Sequence, residues 1–119
     1  ATAVVRHAGR GPHPTRQEGP HAHCTLLVPD ARGGDGALAL VADLGLDRVH
    51  AYRLDARAGT LRPATPPAVA LAPGAGPRHL ARHPDGRTLY VVNELDATIA
   101  TLALDAATGA LTARQTLPL

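Results

Sequence analysis

Apolar and polar residues alternate along much of this chain with a period of two, the spacing of extended strands whose successive side chains point to opposite faces. Arg48-Val49-His50-Ala51-Tyr52-Arg53-Leu54 reads as extended chain, with Val49 and Ala51 on one face. Thr98-Ile99-Ala100-Thr101-Leu102-Ala103-Leu104 carries its large apolar residues on alternating positions towards its end. Leu89-Tyr90-Val91-Val92 is instead a short unbroken apolar run, the pattern of a strand covered on both faces. Between these segments, Ala58-Gly59-Thr60, Pro84-Asp85-Gly86-Arg87 and Thr108-Gly109-Ala110 put glycine where a tight turn needs positive φ. No window of ten or more residues repeats at the helical period. The spacing predicts an all-β fold with eight strands, at 23–28, 37–43, 48–55, 61–71, 79–83, 88–93, 98–104 and 111–117.

These strands form two copies of one unit. Residues 35–62 lie over residues 85–112 at a constant offset of 50 without a gap. Asp35-Gly36 falls on Asp85-Gly86, Val41 on Val91, Asp43 on Asn93, Val49 on Ile99, Leu54-Asp55 on Leu104-Asp105, and Gly59 on Gly109. Upstream the offset becomes 55, which pairs Pro29-Asp30 with Pro84-Asp85 and His23 with Arg78. The five extra residues fall in the turn at 31–35, where insertion costs least. A four-stranded antiparallel unit of about 50 residues is the pattern of a β-propeller blade. A small β-sandwich of two similar sheets has the same periodicity, and the spacing alone leaves both open. The two units are residues 23–71 and 72–119. Residues 1–22 fit neither: Ala3-Val4-Val5-Arg6 is consistent with the last strand of a preceding blade, and Gly9 to Gly19 reads as a long loop.

Composition sharpens this division. The chain has 119 residues, the length of one ordinary domain. Yet Leu, Val and Ile make up only about a fifth of it, and Tyr52 and Tyr90 are its only aromatic residues besides histidine. That is thin for one independent core and natural for units whose faces expect neighbours. With no methionine as well, the composition points to a piece of something larger. All twelve basic residues are arginines scattered singly against ten acidic ones, for a net charge of +2. There is neither a basic stripe nor enough aromatic surface to stack bases, so no nucleic-acid partner is expected. No run of 18 apolar residues offers a membrane span. Cys24 has no second cysteine to pair with, and its place in an apolar strand predicts a buried, inert thiol.

The strings RQEGPHAHC (16–24), VADLGLDRVHAYRLD (41–55), PGAGPRHLARHPDGRTLYVVNELD (73–96) and DAATGALTARQTLP (105–118) resemble the lactonase family of seven-bladed propellers. That family includes bacterial propeller-type 6-phosphogluconolactonases and the related carboxy-muconate cyclases. The resemblance runs from about Arg16 to the C-terminus and implies roughly two blades of a larger ring. It further implies a cytoplasmic parent protein that hydrolyses 6-phosphogluconolactone to 6-phosphogluconate with neither cofactor nor metal. Its implied partner is a small sugar lactone or lactone-like substrate. Two alternatives accompany it: a carboxy-muconate lactonizing cycloisomerase, and a non-catalytic propeller that serves as a binding scaffold.

Opening a lactone needs a base to activate water, N–H donors or positive charge at the developing oxyanion, and a proton for the leaving alkoxide. A phosphorylated substrate adds a use for arginine. The repeat puts His23 and Arg78 at equivalent positions opening the first strand of each unit, innermost in a propeller. Glu94 follows the second strand of the second unit, sixteen residues after Arg78 and at the same rim. By the resemblance, Arg78 and Glu94 match the family's arginine and glutamate, and His23 or His21 its histidine. The register favours His23. Glu94 or the histidine would be the base, and Arg78 would hold a carboxylate, phosphate or oxyanion. The family's further arginine, from a later blade, has no counterpart here, so these 119 residues alone are expected to show little or no activity. Glu94 also departs towards charge from its repeat partner Leu44. Asp43 and Asn93, matched across the repeat, are expected to satisfy turn backbone, and His79 and His83 to pack in turns. His21-Ala22-His23 has the spacing of a metal-ligand pair on a strand but lacks a third spaced ligand, so no metal is expected there.

Overall fold

A computed structural model describes residues 3–31 and 36–119. The turn that carries the five-residue insertion therefore lies, except for Ala31, outside the described residues, as does Asp35 of the repeat. Eight strands follow in order: β1 (Ala22–Pro29), β2 (Gly36–Asp43), β3 (Arg48–Asp55), β4 (Thr60–Ala70), β5 (Pro77–Arg82), β6 (Thr88–Asn93), β7 (Thr98–Leu104) and β8 (Leu111–Pro118). They make two antiparallel four-stranded sheets, β1-β2-β3-β4 and β5-β6-β7-β8. The turns after β3 and β7 use one device. The Asp55 carboxylate accepts the Arg57 and Ala58 N–H groups, and that of Asp105 accepts those of Ala107 and Thr108. Gly59 and Gly109, at φ of 68° and 79°, complete the two bends. Among the described residues no helix is long and apolar enough to cross a membrane.

The core lies between the sheets. Leu38 and Leu40 of β2 and Val49 and Ala51 of β3 join Leu89 and Val91 of β6 and Ala100, Leu102 and Leu104 of β7 in one buried cluster. The two sheets do not offer equivalent faces to it. At the repeat offset, Leu38 and Leu40 correspond to Thr88 and Tyr90, which alternate onto the far side of β6. Leu89 and Val91 correspond to Ala39 and Val41, which point away from the second sheet. The units therefore stack front to back. Packing of that kind repeats in one direction and generates rings, whereas a symmetric sandwich of two like sheets would join like faces.

Front-to-back stacking leaves each sheet with one outward face. Tyr90 and Val92, 38% and 37% exposed, stand on that of the second sheet, so the expectation that residues 89–92 are covered on both faces is not met. Among the described residues no third sheet lies beyond β6. Cys24 is likewise half-buried rather than enclosed, because β1 is an edge strand on which only Val28 is fully buried.

Residues 3–21 contain no strand. This segment crosses the outward face of the first sheet, and Gln17 and His7 are among the residues that anchor it. Gln17, fully buried, donates to the Leu44 carbonyl (2.9 Å) and to Asp47 Oδ1 (2.6 Å), while its own Oε1 accepts the His13 N–H. Asp47 also accepts the N–H groups of Gly74 (2.7 Å) and Gly76 (2.8 Å), in the connection between the sheets. Further back, the ring of His7 lies between Asp43 Oδ2 (2.5 Å from Nδ1) and the Tyr52 hydroxyl (2.7 Å from Nε2), stacked on His50 with centroids 3.8 Å apart. Burial, with the nearby His7 second, lowers the His50 pKa from 6.5 to about 4, and burial raises that of Tyr52.

Candidate functional site

The first strand of each sheet carries a β-bulge at the same place. Pairing of β1 with β2 passes from Ala22↔Asp43 to Cys24↔Ala42, and pairing of β5 with β6 from Pro77↔Asn93 to His79↔Val92. The extra residues are His23 and Arg78. A bulge releases a side chain from the strict alternation of the ladder and re-aims it. Here both turn towards each other: Arg78 Nε donates to His23 Nε2 at 3.2 Å.

Glu94 arrives from the turn after β6. Its backbone N–H donates to the Gly76 carbonyl at 2.8 Å, which ties the turn to the residues just before β5. One carboxylate oxygen lies 3.4 Å from Arg78 Nη1, and the other accepts a hydrogen bond from Arg16 Nη2. The Arg16 hydrogen bond holds the Glu94 carboxyl below its usual 4.5, reinforced by the charges of Arg16 and Arg78. The site is thus an imidazole, two guanidiniums and one ionised carboxylate in a chain of contacts, His23–Arg78–Glu94–Arg16.

His21 and His23 both line a cleft of about 220 Å³ with Thr15, Arg16, Glu18 and Leu44. His23 touches Arg78, whereas His21 Nε2 pairs with Glu18 Oε1 at 2.7 Å on the open side. His79 sets its ring edge-on to His23, centroids 5.3 Å apart. The His83 Nδ1 accepts the Asp85 N–H at 3.0 Å, the turn-packing role expected of it. Asp43 accepts the backbone N–H groups of His21 (2.8 Å) and Gly45 (3.1 Å), also as expected, but Asn93 spends its amide on the Thr98 hydroxyl rather than on backbone. Arg16 is the residue that sequence reasoning passed over. It opens the string RQEGPHAHC, yet it belongs to neither repeat, and a role for it requires knowing that residues 16–21 return to the rim.

The family model described as "Lactonase, 7-bladed beta-propeller" matches residues 1–119. The chain belongs to this lactonase propeller family. The match agrees with front-to-back stacking and removes the sandwich alternative. The chain is 36% identical over 103 residues to the 6-phosphogluconolactonase of Bacillus subtilis, covering 87% of this chain and 27% of that protein. It is also similar to the crystal structure of a candidate 6-phosphogluconolactonase from Bacteroides fragilis (TM-score 0.83, 33% identity, covering 98% of this chain and 33% of that one). The periplasmic gluconolactonase of Pseudomonas aeruginosa matches with a TM-score of 0.76 and 32% identity, over 95% of this chain and 30% of that one. The chain therefore spans about a third or less of the length of these relatives. Its two sheets are two blades of such a ring.

Proposed function

We propose that these two blades supply one wall of the active site of a larger sugar-lactone hydrolase, whose substrate is 6-phosphogluconolactone and whose product is 6-phosphogluconate. The observation that carries this reading is the double bulge, which brings His23 and Arg78 into contact beside Glu94. His23 is the base. Glu94 suits that role poorly, because two arginines keep it ionised and lower its proton affinity. Glu94 instead orients Arg16 and Arg78, which receive the anionic groups of the substrate.

In this scheme an arriving anion draws Arg78 away from His23 and frees the Nε2 lone pair. His23 then takes a proton from water as the water oxygen bonds to the lactone carbonyl carbon, and Arg78 faces the oxyanion that forms. When the carbonyl re-forms, the ring C–O bond breaks, and the imidazolium returns its proton to the departing alkoxide. The phosphorylated substrate and the solitary Cys24 both suit the cytoplasm, which we assign as the site of action. The roles of His21, His23, Arg78 and Arg16 are tested in the complete protein of which this segment is part. His23→Gln lowers kcat by about 10²-fold or more, Arg78→Gln and Arg16→Gln raise KM for the phosphorylated lactone, and His21→Gln changes little. Hydrolysis that persists unchanged in both His23→Gln and Arg78→Gln removes this reading. The 119-residue chain alone turns over no lactone above the spontaneous rate.

A further inference from the structure

A part-buried cluster of polar side chains lies on the outward face of the first sheet. One donor atom from each of His7, Asp43 and His50 lies within 4.8 Å of the other two. The arrangement departs from the repeat: the positions equivalent to Asp43, His50 and Tyr52 are Asn93, Ala100 and Leu102, of which Ala100 and Leu102 pack into the core between the sheets. Three positions that are neutral or apolar in one blade have become two imidazole or carboxylate donors and a phenol in the other.

The surroundings of these donors match those of metal ligands. A ligating histidine is ordinarily held by a hydrogen bond at its second nitrogen, and a ligating carboxylate by hydrogen bonds at its second oxygen. His7 meets the Tyr52 hydroxyl through Nε2 at 2.7 Å, leaving Nδ1 for the cluster. Asp43 uses Oδ1 to accept the His21 and Gly45 N–H groups, leaving Oδ2 for the cluster. His50 Nε2 is buried and has no hydrogen-bond partner among the described residues. A buried ring nitrogen without a partner is costly unless something fills its place.

We propose that His7, Asp43 and His50 bind one divalent cation, and that two imidazoles with one carboxylate favour zinc. The ion replaces the proton shared between His7 Nδ1 and Asp43 Oδ2, which leaves to solvent, and it bonds His50 as third ligand. The His7 and His50 rings, now 24° from parallel, splay so that both aim at the ion. Water completes the coordination from the open groove of about 570 Å³ that His7 and Tyr52 line. Because His7 belongs to the strandless segment and the other two ligands to β2 and β3, the ion is a clip that fastens residues 3–10 to the first blade.

The test uses the 119-residue chain, stripped with a chelator and titrated with Zn²⁺ by calorimetry and with Co²⁺ by visible absorption. One equivalent of either ion binds, Co²⁺ gives ligand-field bands, and Zn²⁺ raises Tm until chelator is added back. His50→Phe keeps a flat ring against His7 but no donor, and it weakens binding more than about tenfold. His7→Phe, which alters neither sheet, does the same. His21→Gln combined with His23→Gln leaves binding unchanged. Failure of the unaltered chain to take up an ion overturns the proposal. So does affinity that survives both His50→Phe and His7→Phe, and its loss in the His21/His23 variant would move the ion to the rim.

Discussion

The turn from β2 to β3 and the turn from β6 to β7 share a backbone and differ in what surrounds them. Asp47 and Ala97 occupy equivalent positions with the same φ of 55°, and the carbonyl of each accepts an N–H from the end of its blade's outer segment, Leu71 or Leu119. Leu44 and Glu94 likewise donate their backbone N–H groups to the equivalent carbonyls of His21 and Gly76. The side chains then diverge completely. In the first blade, residues 16–21 and 72–76 press on the turn. Asp47 answers with bonds to Gln17, Gly74 and Gly76, and Gly45 admits the backbone of Gly19. In the second blade Ala97 faces none of these, Leu95 replaces Gly45, and Glu94 is left to gather arginines at the rim. The repeat dictates the path of the chain, while the segments that cross it dictate its chemistry.

Gly45→Ala strains this contrast hardest. A Cβ at residue 45 would stand 1.9 Å from the Gly19 carbonyl oxygen, a backbone atom with nowhere to go. A loss of about 3 kcal/mol or more in denaturant unfolding is expected, although the equivalent position holds a leucine. A loss below ~1 kcal/mol would mean that the two turns are less different than they look. Asp47→Ala comes next, at about 2–4 kcal/mol, because it strands two backbone N–H groups and the Gln17 amide. Ala97→Gly works in the opposite direction and stabilises by about 0.5–1 kcal/mol, since glycine adopts positive φ without a Cβ penalty. If Ala97→Gly destabilised, the second turn would have contacts of its own.

The smallest effect concerns charge. Glu94 has its carboxyl lowered in the folded chain, so its contacts stabilise above pH 4.5 and are lost as pH falls through the lowered value. Arg16→Gln returns the Glu94 titration, followed by carboxyl NMR, towards 4.5. An unmoved midpoint would transfer the effect to Arg78.

Much of the scaffold was legible in the sequence because it is written locally. Period-two alternation and Asp/Gly turns placed all eight strands within two residues of their observed ends. The offset of the repeat brought His23 and Arg78 into equivalence before any contact was known. What stayed hidden depends on distance along the chain. The Arg16–Glu94 contact spans 78 residues, and His7 reaches Asp43 across 36 and Tyr52 across 45. Residues 3–21 have neither a period nor a repeat partner, so their side chains carry no pattern from which a destination can be read. The bulges were hidden for another reason: one surplus residue in a strand leaves its hydrophobic pattern almost intact. The exposure of Tyr90 and Val92 was hidden because an apolar run records the faces a strand can cover, not how many sheets are present to cover them.

Asp47 ties the segment that precedes its own blade to the connection that follows it, through one carboxylate. Recombination between related rings is consequently not free to cut at blade boundaries. A chimera that inherits Asp47 from one parent and Gln17 or Gly74–Gly76 from another keeps every strand, yet sets a buried charge against strangers. The heritable module here is a staggered one, running from the Gln17 side of one blade to the Gly76 threshold of the next.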